Sequence, residues 1–317
     1  MAGDPSTALA LATPLSMVFG GCCANAWSLE QLVSHDARIG SALTVVQMLF
    51  IVAHSSPVAF SGQRAVPLRA WGTQVLVLSA MSLLNNWVFF YAVPITVQIV
   101  FRSAGLLVSM AFNYAFNGKR YSLTQIASVA LVTGGVIVAT LSRPASAKGT
   151  QPPDPRSYFI GILILAACLV LAGILGLLQE RTFAIHGPHW REGLFYTHAF
   201  SLPLFVFLPG VRKSMDAMRG ADLRVILPVA LFNVLTQSAC VAGVNQLMSR
   251  VSSVSTNLAL TTRKALSLCI SVWYFGSGWN AQLGFGAALV GVGTLLYAYA
   301  SQPPKVKTKR AGKIKKE

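Results

Sequence analysis

Long apolar runs separated by short clusters of helix breakers dominate the chain. About ten stretches approach the roughly 20 apolar residues a helix needs to cross hydrocarbon. They cover 8–29, 39–60, 71–92, 95–116, 122–141, 158–178, 193–209, 225–245, 252–275 and 281–300. Between them lie 34–38, 61–69, Pro94, 117–121, 142–157, 179–192, 210–224 and 276–280, rich in Pro, Gly, Ser and charge. Segment 142–157 holds Pro144, Pro152, Pro153 and Pro155 and divides the chain near its middle, which reads as a linker. The expected organisation is a first five-helix unit over 1–141, the Pro-rich linker, a second five-helix unit over 158–300 and a basic tail over 301–317. The residues before the first span include Asp4 but no Lys or Arg, and the apolar run continues past any Ala-x-Ala site. Both features favour a retained helix over a cleaved signal peptide.

Composition makes lipid the solvent. Hydrophobic residues are 54% of the 317 and charged residues 11%, with a mean hydropathy of +0.59. A soluble domain carries about 25% charged residues. The expectation is an all-α membrane protein. The net charge of +16 does not point to nucleic acid, because much of it sits in Lys305, Lys307, Lys309, Arg310, Lys313, Lys315 and Lys316. With an even number of spans both termini share a side, and the basic tail places that side in the cytosol. The basic loop 210–224 opposes this assignment.

The halves echo each other at an offset of about 160 residues, the sign of an internal repeat. Asn85-Asn86 answers Asn245-Gln246, and Arg102-Ser103-Ala104 answers Arg263-Lys264-Ala265. Five spans per half would invert the second half relative to the first, the plan of many transporters with a site at the repeat interface.

Arg102, Arg263 and Lys264 fall inside spans. Lys264 lies about 18 Å along its helix from Ser252, near mid-membrane. A cation there costs on the order of 2.5–3.5 kcal/mol. The spans hold almost no acid, with Glu30 the only carboxylate near one, so an anionic substrate is the expected partner. Asn257, Thr261, Lys264, Ser267 and Ser271 form one polar helical stripe; Gln98, Arg102, Gly105 and Ser109 form another. Arg263, on a different face with Leu260 and Leu266, is expected at the cavity edge or against a helix end. These stripes could instead serve helix packing. The amides of Asn85, Asn86, Asn245 and Gln246 could together read a nucleobase edge, or cap kinked helix ends. The paired and clustered glycines read as sites of close helix approach.

Cys22, Cys23, Cys168, Cys240 and Cys269 lie in apolar runs without metal-ligand spacing and read as small buried hydrophobes. No metal or cofactor motif occurs. His54 and His198 fall within spans without an acidic partner at helical spacing, which disfavours an intramembrane enzyme. A proton-coupled metabolite exporter would need an embedded titrating carboxylate, for which Glu30 is the sole candidate.

Several runs together resemble one family: Gly21-Cys22-Cys23-Ala24-Asn25 with Leu29-Glu30, Asn85-Asn86, Phe101-Arg102-Ser103, Lys119-Arg120-Tyr121-Ser122, Asn233-Val234-Leu235-Thr236-Gln237, Leu260-Thr261-Thr262-Arg263-Lys264 with Ser267-Leu268, and Gly293-Thr294. They resemble the nucleotide-sugar transporters of the drug/metabolite transporter superfamily, most closely the UDP-N-acetylglucosamine/UDP-xylose type. The resemblance implies ten helices as two inverted five-helix repeats in a Golgi or endoplasmic reticulum membrane. It implies exchange of a cytosolic nucleotide sugar for a lumenal nucleoside monophosphate such as UMP, with Lys264 and Arg263 as the basic pair of the cavity. Related subgroups share these motifs and carry other sugars or a sulfated nucleotide. Homodimerisation is left open.

The chain ends Lys313-Ile314-Lys315-Lys316-Glu317. Lys313 and Lys315 fit the Lys-x-Lys-x-x form of the dilysine retrieval signal read by coat proteins. The bland alternative is contact of the tail with anionic lipid.

Overall fold

The computed structural model describes residues 5–36, 39–60, 64–88, 91, 93, 98, 101, 104–141, 155–207, 210–220, 223–274 and 281–301. Among them every regular element is helical. The first helix, α1 (Pro5–Ser16), passes through a π-helical turn at Met17–Gly21 into α2 (Cys22–His35). There follow α3 (Gly40–Ser55), the short α4 (Pro57–Phe60), α5 (Leu68–Trp87), α6 (Gly105–Asn117) and α7 (Leu123–Leu141). The second half contains α8 (Pro155–His186), α9 (Trp190–Val206), α10 (Val211–Arg219), α11 (Leu223–Met248), α12 (Ser253–Tyr274) and α13 (Ala281–Ala300).

Four described helices are long and apolar enough to cross a membrane by themselves: α7, α8, Ile226–Met248 within α11, and α13; α9 with α10 adds a fifth if that bent pair is one span. The protein is thus a multi-pass α-helical membrane protein. The helices outside this set are informative. α5 and α12 are 20 and 22 residues long, but α5 carries Gln74, Asn85 and Asn86, and α12 carries Asn257, Thr261, Arg263 and Lys264. Their polar content marks an aqueous or ligand-lined interior.

Two loop expectations are corrected. Segment 179–192 is mostly helix: α8 runs to His186, and α9 starts at Trp190 after a turn at Gly187. Charge had marked this stretch as loop, but Glu180 is neutralised inside the fold, as described below. Segment 210–224 contains α10, bent 88° from α9. α10 places Arg212, Lys213 and Arg219 on a polar side, buries Val211 and Ser214, and directs Met218 toward Leu32 and Ile226. That is the pattern of a helix lying at the membrane surface.

Contacts fix the relative direction of the helices. Arg250 donates to the Ala10 carbonyl, and the Gln125 amide donates to the Ser301 hydroxyl at 3.1 Å. Arg181 donates to the Phe116 carbonyl at 2.9 Å, and the Val66 N–H donates to Glu192 at 3.2 Å. The start of α1 and the end of α13 therefore share one face with the starts of α5, α7, α9 and α12 and the ends of α6, α8 and α11. We call this the terminus face. α5 leaves it and α11 returns to it.

Packing joins the halves. α2 lies against α11, α5 against α8, α3 against α9, α6 against α12, and α7 against α13. α7 and α13 meet backbone to backbone, since a Cβ added to Gly135 would stand 2.7 Å from the Gly286 carbonyl oxygen. Small residues allow such approach where lipid supplies no hydrophobic drive between helices. The apolar core is divided into clusters, including Leu106–Val129–Val132–Val290, Leu32–Leu43–Val234 and Trp71–Phe183–Tyr196. Leu76, Phe159, Leu235 and Leu295 are more than half exposed, as lipid-facing side chains should be.

Candidate functional site

A cavity of about 540 Å³ lies between the halves, walled by α5, α6, α8, α9, α11 and α12. Its volume falls within the usual range for small-molecule sites, and its walls combine apolar side chains with a few polar groups. Leu106, Leu165, Leu169 and Leu260 supply apolar wall. Polar groups come from Gln74, Ser82 and Asn85 on α5, Gln179 on α8, Thr197 and His198 on α9, Asn245 on α11, and Ser253, Asn257, Thr261 and Lys264 on α12.

The α12 stripe divides in two. Asn257, Thr261 and Lys264 reach the cavity, with Lys264 about 16 Å along the helix from Ser253 at ~1.5 Å per residue. Asn257 is oriented by its amide, which donates to the Ser109 hydroxyl on α6 at 3.1 Å. Ser267 instead donates to the Cys23 sulfur on α2 at 3.2 Å. Arg263 also turns to α2, where its Nη1 donates to the Cys22 carbonyl at 3.4 Å. Cys22 is the first residue after the π turn. Arg263 thus meets backbone at the start of α2, not a helix C-terminus, and it is not among the cavity-lining residues.

The expected amide quartet does not converge. Asn85 lies about 26 Å along α5 from its start on the terminus face, whereas Asn245 lies about 5 Å from the end of α11 on that same face. The two line opposite ends of the cavity, so they cannot read one base together. The reason is the opposite direction of α5 and α11: equivalent sequence positions fall at opposite depths. Gln246 is not among the lining residues, and Gln98 is buried with its amide on the Val93 carbonyl at 3.1 Å. Arg102, the side chains of Asn86 and Ser271, and Lys313 and Lys315 lie outside the described residues.

Two further expectations are corrected. Glu30 is not the only carboxylate near a span, because Glu180 lies in α8 and Glu192 in α9. Glu180 forms an ion pair with Lys119 and accepts both the Ser253 N–H, at 3.0 Å, and the Ser253 hydroxyl, at 2.7 Å. It caps α12 from a neighbouring helix, where an anion is favoured at the positive end of the helix dipole. Glu192 accepts the N–H groups of Ala65 and Val66. Such carboxylates are tolerated because each has donors in place. The cysteine expectation also changes, since Cys22 is disulfide-bonded to Cys240 and ties α2 to α11; Cys23, Cys168 and Cys269 take part in no disulfide.

Sequence reasoning did not assign Gln74, Gln179, Thr197, His198 or Ser253 to the cavity. Each is a polar residue in or beside an apolar run, but none falls in the two polar stripes or in the repeated pairs. Around Glu180 the terminus face is tightly tied. Asn113 donates to the Ser253 hydroxyl at 2.8 Å, and Arg181 Nε donates to the Asn117 side chain at 3.2 Å.

A mostly apolar cavity with a few polar groups at membrane depth, walled by helices from both halves, is the arrangement expected of a membrane carrier. Residues 10–301 match the UAA transporter family. The chain is 36% identical to the UDP-N-acetylglucosamine transporter yea4 of Schizosaccharomyces pombe, over 93% of this chain and 97% of that protein. It is 31% identical to the UDP-N-acetylglucosamine transporter YEA4 of Saccharomyces cerevisiae, over 95% and 97%. It is 30% identical to the nucleotide sugar transporter SLC35B4 of Mus musculus, over 89% and 92%. A solved crystal structure of a protein 20% identical aligns with a TM-score of 0.65 over 90% of this chain and 96% of its own, which shows a common fold. The chain belongs to the UAA transporter family.

Proposed function

We propose that this chain is a nucleotide-sugar antiporter that moves UDP-N-acetylglucosamine into the lumen of the endoplasmic reticulum or Golgi in exchange for UMP. The observation that carries the reading is the placement of Lys264, with Asn257 and Thr261, on the wall of a cavity at membrane depth. An ammonium there offers a desolvated diphosphate a charge-assisted partner. The names of the S. pombe and S. cerevisiae relatives support N-acetylglucosamine as the sugar.

The same reading takes the fold as ten membrane helices in two inverted five-helix repeats. Its support is the pairing scheme. Exchanging the halves turns the contact of the first helix with α11 into the contact of α5 with α8, and leaves α3–α9, α6–α12 and α7–α13 unchanged. α5 and α11 also run in opposite directions, as inversion requires. The basic tail argues for cytosolic termini, and Lys313 and Lys315 for retrieval to the endoplasmic reticulum.

Purified protein in liposomes preloaded with UMP tests the transport reading. Uptake of UDP-N-acetylglucosamine should depend on lumenal UMP and exceed uptake of GDP- or CMP-linked sugars. Equal uptake without UMP would remove the antiport; preference for another nucleotide would remove the substrate. UDP-xylose, included in the panel, separates the two sugars.

A further inference from the structure

The imidazole of His198 lies on the cavity wall, one helical turn beyond Leu194 on α9. Its Nδ1 stands 2.8 Å from the Leu194 carbonyl oxygen and 3.4 Å from the Thr197 hydroxyl oxygen. The Thr197 hydroxyl donates its own hydrogen to the Gly193 carbonyl, at 2.5 Å, so both oxygens near Nδ1 are acceptors. Two acceptors at one ring nitrogen require the proton there. In the neutral ring Nε2 then carries a lone pair, and among the described residues no hydrogen-bond partner meets it. Backbone and a neighbouring hydroxyl thus hold an acceptor ready on a wall that also presents Lys264 as a donor.

By helix rise, His198 lies about 12 Å from the start of α9 on the terminus face, between the depths of Asn245 and Lys264. A ligand whose phosphates rest at Lys264 and which extends toward that face passes this nitrogen. We infer that His198 is a specificity-determining residue whose Nε2 accepts a hydrogen bond from an N–H group of the bound nucleotide sugar. UDP-N-acetylglucosamine has two such groups, the uracil imide and the acetamide. A site that accepts from a substrate N–H disfavours an analogue lacking it, because the acceptor is left unpaired. The inference rests on the function proposed above.

The test compares two ligand pairs on purified protein in liposomes: UMP against N3-methyl-UMP, and UDP-N-acetylglucosamine against UDP-2-deoxyglucose, which carries no donor at C2. The first pair removes the imide donor and the second the acetamide donor. The wild type should disfavour one modified ligand by about tenfold, the size of one hydrogen bond to a buried acceptor. His198→Ala should abolish that discrimination. His198→Asn can still donate to Leu194 but lacks the Nε2 position, and should behave like His198→Ala. His198→Gln, with an amide oxygen near the Nε2 position, should restore part of the preference. The pair that responds identifies the donor. Wild-type discrimination in His198→Ala or His198→Asn for both pairs overturns the inference, as does equal wild-type binding within both pairs. If the wild type binds none of the four ligands, the proposed function fails and the inference falls with it.

Discussion

Arg263 and Lys264 are adjacent cations on one helix, yet the fold separates them. Successive residues on a helix differ by about 100° in direction. That rotation sends Lys264 to the cavity, and Arg263 to the Cys22 carbonyl beside the π turn. Lys264 is placed to meet a ligand, whereas Arg263 belongs to a seam between α2 and α12 that includes the Ser267–Cys23 contact. The Cys22–Cys240 disulfide joins this seam to α11. The family resemblance implies one basic pair; direction around the helix turns the two side chains to different surfaces.

The largest effect should come from Lys264. Lys264→Ala is expected to reduce UDP-N-acetylglucosamine exchange by about 100-fold, the loss of a charge-assisted hydrogen bond to phosphate. Its thermal midpoint in detergent should stay near that of the wild type. Initial rates in liposomes at matched protein level measure this, and near-wild-type exchange would remove Lys264 from the site. Arg263→Ala should give the opposite profile. Truncation removes the 3.4 Å bond to the Cys22 carbonyl and the packing of the side chain against α2, at a cost of about 1 kcal/mol. The thermal midpoint should fall, while KM of the folded fraction changes by less than about threefold. A raised KM with unchanged stability would place Arg263 in substrate contact and dissolve the contrast.

The apolar runs marked the helices well because twenty-residue periods of hydrophobicity are a direct demand of bilayer thickness. Lys264 was legible too, since a cation at mid-span needs a reason. Other features depended on distance in space. Cys22 and Cys240 are separated by 218 positions, and no local spacing announces their pairing. Glu180 looked like a loop charge because its donors, Lys119 and Ser253, lie far from it along the chain. The asparagines illustrate a different limit. Their repeat was visible, but direction along the helix axis put Asn85 and Asn245 at opposite ends of the cavity. His198 lacks an acidic neighbour at helical spacing, and its partner four positions away is the Leu194 carbonyl, a backbone group that no side-chain pattern displays.

A smaller effect concerns the terminus face. Lys119, Glu180 and Ser253 bridge the ends of α6 and α8 to the start of α12. An opening of the cavity that parts α12 from α6 and α8 on this face would separate these groups. Glu180→Gln keeps an acceptor for Ser253 but removes the ion pair. Since Lys119 is 37% exposed, the pair should couple by about 1 kcal/mol or less. We expect the Glu180→Gln variant to populate the form open on this face severalfold more than the wild type. A cysteine introduced at Gln179 in a background lacking the free cysteines, and its rate of labelling from the terminus face, reports that form. The double variant with Lys119→Gln should add little further. Unchanged labelling in Glu180→Gln would mean that the ion pair does not hold this face shut.

The smallest effect should belong to Ser267, which shares the Arg263 seam. Its hydroxyl donates to a thiol sulfur, a weak acceptor, and both residues are only partly buried. Ser267→Ala should therefore cost about 0.5 kcal/mol, at the low end for a hydrogen bond. Exchange should stay within about twofold of the wild type, because the side chain faces α2 and not the cavity. Thr261→Ala is the control on the other face: one helical turn from Lys264 and on the cavity wall, it should alter KM without a matching loss of stability. Parallel measurements of thermal midpoint and KM separate the faces even when each effect is small. If Ser267→Ala raised KM as much as Thr261→Ala does, the polar stripe would act as one surface toward the ligand, and the division of α12 drawn from Arg263 and Lys264 would not hold.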